Sequence, residues 1–259
     1  ITYALDASGA VSLLGLPENT LTLSGTLEIR KNTAGALTKE IDVNGSVVRL
    51  DFASNEESAF GQDVSLSIGT FISVRGDFGF SKFTDGADTE IAIGATNVNA
   101  TLAAGGVSLT VNGASLGLLL KPGATSAETT YALVANGGTD SLNGVPGLTL
   151  TASGLLIRVR HGLDPSAVEG IPLSVHTPGG DVNLDFGNLG AGSTDVTDVE
   201  GNITLQIAGF VSLSGNFGFQ KFTDGTDTAL AVGATDLTII LGTSTTNLTL
   251  ANASFGLII

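Results

Sequence analysis

The chain has 259 residues, no cysteine, and a net charge of −15 from 25 acidic and 10 basic side chains. An acidic surface repels nucleic acids and anionic lipids, and the absence of cysteine excludes disulfides and thiolate metal sites. The longest apolar run, near 116–120, is far shorter than the ~20 residues of a membrane-spanning helix, so we predict neither a nucleic-acid partner nor a helical membrane span.

An internal repeat is the strongest signal in the sequence. The segment FISVRGDFGFSKFTDGADTEIAIGAT, which begins at Phe71, returns as FVSLSGNFGFQKFTDGTDTALAVGAT from Phe210, at an offset of 139 residues. TYALDASG at Thr2 returns as TYALVANG at Thr130, at an offset of 128, so the second copy carries about 11 extra residues. We predict two β-repeat modules, at residues 1–128 (including a linking loop at 121–130) and residues 129–259.

Apolar residues alternate with polar ones through the middle of each copy. In the first copy the apolar positions are Val64, Leu66, Ile68, Ile72, Val74, Gly76, Phe78 and Phe80. In the second copy the matching run is Val211, Leu213, Gly215, Phe217 and Phe219. A period of two with one apolar face is typical of a half-buried antiparallel sheet. Asp85-Gly86 and Asp224-Gly225 follow these strands and predict hairpin turns.

The next strands change phase at recurring patches of small residues, GAT, NGAS and NAS. One extra residue at such a patch is the mark of a β-bulge or strand corner. We therefore predict an all-β fold of long antiparallel strands in two layers, either a β-sandwich or an elongated folded sheet. Little helix is expected beyond one turn at Asp164–Gly170. The copies form either separate domains or consecutive lengths of one sheet.

The repeated Lys-Phe-Thr-Asp-Gly-x-Asp-Thr segment offers the best metal candidates. It places paired carboxylates at a turn, namely Asp85, Asp88, Asp224 and Asp227. Oxygen ligands of this kind can bind Ca²⁺, although Ca²⁺ takes 6–8 of them and no EF-hand pattern is present. The alternative is a solvated hairpin tip whose aspartates set the turn. No other cofactor is predicted.

Two further groups of polar residues are candidates for chemistry. The acidic stretch Asp195, Asp198 and Glu200 roughly matches Asp51, Glu56 and Glu57 of the first copy, and we predict solvated loops for both. His161 and His176 are the only histidines, and they occur in one copy alone. We predict that both lie on the surface, and that the protein is not an enzyme, because no recognisable catalytic constellation surrounds them.

Several segments together resemble the long tandem repeats of very large exported bacterial proteins, the large exoproteins or giant adhesin-like surface proteins. They are GFVSLSGNFGFQKF, NASFGLII, KPG…TYALVANGG and GVPGLTLTASG. The resemblance implies export, an elongated shape and a role in the cell surface, matrix or filaments, and it assigns no catalytic residue.

These observations predict a structural or adhesive repeat segment of an extracellular or cell-surface bacterial protein, which provides extension and rigidity. Its expected partners are neighbouring repeats of the same polypeptide, or other copies through self-association, with surface or matrix contacts. The alternative is a module that binds a lipid or glycan in a groove on the folded sheet. The low aromatic content, 5%, disfavours a glycan platform.

Overall fold

A computed structural model describes residues 1–12, 21–68, 72–85, 88–104, 106–121, 129–163, 173–185, 194–224, 227–243 and 245–259. The described residues form strands β1 (Ala4–Ser12), β2 (Leu21–Asn32), β3 (Leu37–Val43), β4 (Ser46–Phe52), β5 (Glu56–Ile68), β6 (Ile72–Asp85), β7 (Asp88–Ala104), β8 (Val107–Lys121), β9 (Thr130–Asn136), β10 (Thr139–Asn143), β11 (Leu148–His161), β12 (Leu173–Thr177), β13 (Gly180–Leu184), β14 (Val196–Ile207), β15 (Val211–Asp224), β16 (Asp227–Gly242) and β17 (Asn247–Ile258).

The all-β prediction is confirmed, and the described residues contain no helix. The helical turn predicted at Asp164–Gly170, and residues 122–128 of the predicted linking loop, lie outside the described residues. Thirteen strands form one antiparallel sheet in the order β1-β2-β5-β6-β7-β8-β10-β11-β14-β15-β16-β17, with β9 between β8 and β11 beside β10. The hairpins β3–β4 and β12–β13 are separate two-stranded sheets.

The two copies share this sheet without a gap. Strand β8, the last of the first copy, pairs with both β9 and β10, the first strands of the second copy. Strands β9 and β10 are two lengths of one strand interrupted at Gly137-Gly138, and both also pair with β11. Of the two arrangements left open by the sequence, the structure has one continuous sheet. The division at residues 128 and 129 stays a prediction about the repeat unit.

A second layer lies over part of the sheet. The hairpin β12–β13, which we call the second hairpin, contacts β6, β7, β8 and β9. It comes from the second copy, whereas β6, β7 and β8 belong to the first. The core between the two layers consists of Ala92, Leu119, Ala132, Val134, Leu163, Val175 and Leu184.

The buried face of β6 differs from the one that the apolar alternation indicated. Phe80 and its counterpart Phe219 are both exposed. The second hairpin instead covers the opposite face of β6, which carries Asp77 and Gly79. Period-two alternation identifies a strand correctly, but small side chains here allow closer packing of another layer than large apolar ones do.

The predicted bulges are confirmed. The register of the sheet shifts between Ala95 and Val98 at the first GAT, and between Ala234 and Leu237 at the second. Residues with positive φ lie at or beside the shifts in neighbouring strands, and they are Gly25, Asp63, Asn97, Gly113, Gly154, Asp236 and Asn252. Gly, Asn and Asp are the residues that tolerate this conformation best, so the sequence permits a row of bulges across the sheet.

Hydrogen bonds from side chains stabilise the bulges in both copies. In the first copy Asn97 Nδ2 donates to Asp77 Oδ2 at 2.8 Å. In the second copy Asn216 Nδ2 donates to Asp236 Oδ2 at 3.1 Å. Asp77 and Asn216 are equivalent positions, as are Asn97 and Asp236, so the acid and the amide have exchanged places while the bond is kept.

Asn97→Val is expected to lower the free energy of unfolding by about 1–2 kcal/mol, because a β-branched residue is strained at a φ of 54° and the bond to Asp77 is lost. Urea unfolding measures the change. Thr101→Val, at an exposed position of the same strand, is the control and is expected to change stability by less than ~0.5 kcal/mol. Equal effects of the two substitutions would contradict the role assigned to the bulge.

Candidate functional site

Three glycines make a shallow channel across neighbouring strands of the first copy. Gly79 of β6 pairs with Gly94 of β7, which pairs with Gly117 of β8. We call these residues the first glycine trough. A Cβ atom at Gly79 would lie 2.0 Å from the carbonyl oxygen of His176, and one at Gly94 would lie 2.7 Å from Thr177 Cγ2. The second hairpin therefore packs so closely on the sheet that residues larger than glycine are excluded at these positions.

The hairpin presents alternating apolar residues to this trough. Val175 and Leu184 are 1% and 0% exposed, and a Cβ atom at Gly117 would lie 3.0 Å from Leu184 Cδ2. The strands Leu-Ser-Val-His-Thr and Gly-Asp-Val-Asn-Leu alternate with period two, and Pro178-Gly179 supplies the turn between them. One face of a short, otherwise unsupported hairpin is thus buried against the sheet, as such a hairpin needs for stability.

A buried hydrogen bond fixes the tip of the hairpin to the sheet. Thr177 donates from Oγ1 to the carbonyl oxygen of Gly180 at 2.7 Å. Its Oγ1 also lies 2.7 Å from Thr96 Oγ1. Because the single hydroxyl hydrogen of Thr177 is used toward Gly180, Thr96 donates and Thr177 accepts. The bond joins residues 81 positions apart and crosses from one copy to the other.

Ion pairs join neighbouring strands elsewhere in the large sheet. Arg158 of β11 pairs with Asp198 of β14 at 2.8 Å and also contacts Glu200. The prediction that Asp198 and Glu200 lie in a solvated loop was wrong, because both are on β14 and Asp198 is buried. In the first copy Arg30, equivalent to Arg158, lies 3.6 Å from a Glu56 oxygen. An arginine that pairs with charges on neighbouring strands is a feature of both copies, and a buried charge needs such a partner.

Each histidine has an aspartate partner. His161 Nδ1 lies 2.5 Å from Asp195 Oδ1, and His176 Nδ1 lies 2.7 Å from Asp181 Oδ1. Both imidazoles are exposed, which confirms the prediction of surface histidines. The hydrogen bond from His176 holds the pKa of Asp181 below its usual value. That the protein is not an enzyme stays a prediction.

The four candidate calcium ligands lie at hairpin ends. The backbone of Asp85 pairs with that of Asp88, and the backbone of Asp224 pairs with that of Asp227. The residues of the predicted turns between them, 86–87 and 225–226, lie outside the described residues. The side chains of these aspartates lie outside the described part of the structure. Among the residues that are described, no group of three or more His, Cys, Asp or Glu side chains could hold a metal ion. Calcium binding stays a prediction.

A second row of glycines occupies the equivalent positions of the second copy. Gly218 pairs with Gly233, and Gly233 pairs with Gly256. We call these residues the second glycine trough. A Cβ atom at Gly218 or Gly256 would meet no atom within 4 Å. Gly218 and Gly233 also line an open groove of about 710 Å³, so the second trough resembles the first but has no cover in the part of the chain that the structure describes.

Comparison of the chain with protein-family models, curated proteins and solved structures gives no match. Nor does the described part of the chain include a helix with the length and apolar character needed to cross a membrane. The sequence analysis did not predict the first glycine trough or the second hairpin, although glycines at equivalent positions of the two copies were a signal that could have revealed them.

The two troughs allow a matched substitution. Gly79→Ala is expected to lower the free energy of unfolding by about 1–3 kcal/mol, because its Cβ would overlap the backbone of His176 and force the hairpin away. Gly218→Ala is expected to leave stability unchanged or raise it by about 0.4–1 kcal/mol, because the new methyl group meets nothing and alanine has less freedom in the unfolded chain.

Urea unfolding gives the two stabilities, and limited proteolysis reports whether residues 173–185 remain protected. Protection should fall in Gly79→Ala and persist in Gly218→Ala. Equal stability changes in the two variants, or an unaltered hairpin in Gly79→Ala, would contradict the close packing of the hairpin on the first trough.

Asp140 of β10 is a buried carboxyl at the joint between the copies. Its Oδ1 has no hydrogen-bond partner among the described residues, and burial raises its pKa above the ordinary value. A raised folded-state pKa means that Asp140 favours folding when protonated, and that this contribution is lost as the pH rises through the folded-state pKa.

Asp140→Asn is therefore expected to raise the free energy of unfolding at pH 7 by about 1 kcal/mol. The gain should disappear near pH 3, where the aspartate is protonated in both the folded and unfolded states. Urea unfolding at both pH values measures this, with the exposed Glu40→Gln as the control. A gain that is the same at pH 3 and pH 7 would show that burial of charge is not its cause.

Proposed function

We propose that the chain is a structural repeat segment of an extracellular or cell-surface bacterial protein, and that its repeats join into a stiff, extended sheet. The observation that carries this proposal is the joint between the copies. Strand β8 continues the hydrogen-bond ladder into β9 and β10, while the second hairpin crosses the same boundary and packs on the first copy.

The joint has two components that resist different movements. The ladder through β8, β9, β10 and β11 keeps neighbouring strands in register. A sheet on its own bends and twists readily about its strands, but the second hairpin adds a layer across β6, β7, β8 and β9. Packed side chains in that layer are sensitive to sub-ångström displacements. The joint therefore favours a fixed orientation between repeats, which suits extension.

The surface composition supports an exposed setting. A net charge of −15 favours solubility and disfavours contact with anionic lipids and nucleic acids. With no cysteine in the chain, stability depends on the sheet and its covering layer rather than on disulfides. The resemblance to repeats of exported bacterial proteins also supports an extracellular setting. We propose the extracellular location and an adhesive role on these grounds.

Distances between spin labels test the stiffness of the joint. Ser73 and Thr238 lie on a line of cross-strand pairs that runs through both copies, seven strand spacings apart. At about 4.8 Å per spacing they should be roughly 34 Å apart. Because the chain has no native cysteine, Ser73→Cys and Thr238→Cys can be labelled specifically and measured by pulsed electron paramagnetic resonance.

Labelled chains are diluted into an excess of unlabelled chains, so that only distances within one chain contribute. A single narrow distance distribution is expected, and the same distribution should broaden in the Gly79→Ala background, in which the hairpin is displaced. A broad or multiple distribution in the diluted, otherwise unchanged protein would show that the two copies move independently, and it would contradict a role in rigid extension.

A further inference from the structure

Among the described residues, no atom lies close enough to require glycine at the positions of the second trough. Gly218 and Gly256 would tolerate a Cβ atom with no contact inside 4 Å, and at Gly233 the nearest atom would be the Phe255 carbonyl oxygen at 3.7 Å. None of the three has positive φ. Glycine weakens a strand and commonly marks a place where another backbone approaches closely. The described residues leave these glycines without an occupant, whereas Gly79, Gly94 and Gly117 of the first copy pack against the second hairpin.

The surroundings of the second trough match those of the occupied one. Ala92, Thr96 and Leu119 of the first copy correspond to Ala231, Thr235 and Ile258 of the second. Leu119 is 2% exposed beneath the hairpin, whereas Ile258 is 73% exposed. The second copy thus keeps small residues at the bottom of the trough, an aliphatic residue beside it and a threonine at its end, but no described part of the chain covers them.

The hairpin β3–β4, which we call the first hairpin, is the equivalent of the second hairpin. Counting back from the Leu-Asp-Phe shared by residues 50–52 and 184–186, Val48 corresponds to Val182, and its cross-strand partner Ile41 corresponds to Val175. Ile41 and Val48 are 48% and 44% exposed, whereas Val175 and Val182 are 1% and 4% exposed. Within the described structure, the first hairpin therefore has an apolar face that lacks the cover found in the second copy.

The first hairpin is also held in a comparable position. Arg30 donates from Nη2 to the carbonyl oxygen of Asp51 at 2.6 Å, and its guanidinium lies 4.6 Å from the ring centroid of Phe52. Strand β4 contacts β1 of its own copy, as β13 contacts β9. The second hairpin continues past β9 onto β8, β7 and β6, so the same geometry directs the first hairpin past β1.

The two edge strands of the large sheet also correspond to the strands that pair at the internal joint. Strand β17 is equivalent to β8, and β1 is equivalent to β9 and β10, which pair with β8 inside the chain. In the described structure β17 and β1 are the two edge strands of the large sheet. Pairing β17 of one chain with β1 of another would repeat the internal joint and bring the first hairpin of the added chain over the second trough.

We propose that the second glycine trough is a docking site for the first hairpin of a second copy of this chain, with β17 paired to β1 of that copy. The association is head-to-tail, because the two surfaces are different and lie at opposite edges of the sheet, so it leaves both types of surface available at the ends of the assembly. This inference rests on the proposed function and adds a partner to it, namely a second copy of the chain.

Two variants with complementary defects test the arrangement. Gly218→Leu fills the trough at a position where its Cβ has no neighbour, and leaves the first hairpin intact. A chain with Ile41→Asp and Val48→Asp has a charged hairpin and an intact trough. Sedimentation velocity over a concentration series should show open-ended association of the unchanged chain. Each variant alone should bind itself at least about tenfold more weakly.

An equimolar mixture of the two variants should give a dimer that grows no further, since one intact trough and one intact hairpin remain to meet. Self-association of either variant at the unchanged strength would overturn the proposal, as would a mixture that stays monomeric while the unchanged chain associates. An unchanged chain that stays monomeric over the whole concentration series would also overturn the proposal. Binding of a lipid or glycan in the trough of such a monomer would show that the trough has a different occupant.

Disulfide trapping provides a second measurement that does not require stable association. Ile41→Cys in one chain and Gly233→Cys in another should cross-link under mild oxidation, because the equivalent positions Val175 and Gly94 are in contact. Val47→Cys, on the opposite face of the same hairpin, is the matched control and should cross-link at least about tenfold less. Equal yields for the two hairpin positions would overturn the proposal.

The spin-label distance between Ser73 and Thr238, measured in the non-associating Gly218→Leu chain, separates this inference from the proposed function. If this distance distribution is narrow but the unchanged chain neither associates nor gives the predicted cross-link, head-to-tail docking is overturned and the stiff repeat segment is not. A broad distribution contradicts the stiff repeat segment, whether or not the chains associate.

Discussion

The close approach of the second hairpin to a row of glycines is the contact on which the rest of the structure depends. A hairpin of two five-residue strands has little stability by itself, and no other described segment forms a second layer over β7 and β8. At Gly79, Gly94 and Gly117 the absence of side chains lets the two layers meet, and Val175 and Leu184 become buried. Because the hairpin and the trough come from different copies, this contact also joins the repeats.

The bulges and polar bonds of the sheet support that contact. The register shift beyond Gly94 places Thr96 at the end of the trough, where it reaches Thr177. The bond between Asp77 and Asn97 stabilises the same bulge, and its counterpart in the second copy has the acid and amide exchanged. Such an exchange indicates that the hydrogen bond itself matters, rather than either residue alone. Both copies therefore retain the backbone geometry of a trough, whether or not it is covered.

The sequence predicted the strands, their antiparallel arrangement and the bulges, because all of these depend on local periodicity and on residues such as Asn97 and Asp236 that tolerate positive φ. It failed on the buried face. Alternation drew attention to Phe78 and Phe80, while Gly79 shares the opposite face with the polar residues Asp77 and Ser81 and has no side chain to indicate packing. The partner of that face is also distant in sequence, since Thr177 is 81 residues from Thr96. Local patterns cannot indicate which face another layer covers.

The acidic residues show the same difference between local and non-local information. Asp198 and Glu200 lie in an acidic stretch of sequence that is typical of a loop. Only the pairing of β14 with β11 brings Arg158 beside them. The apolar periodicity also did not predict whether the two copies form one sheet, because a segment of turn-forming residues connects β8 to β9. The answer depends on pairing of β8 with both β9 and β10, which is a property of the assembled sheet.

Native-state hydrogen exchange at the boundary between the copies tests the central claim most directly. If the ladder and the docked hairpin join the copies into one structure, the backbone amides that pair β8 with β9, including those of Leu119 and Ala132, should exchange as slowly as those between β6 and β7. Exchange at the boundary as fast as at the edge strands β1 and β17 would show that the copies open independently, and it would contradict the account.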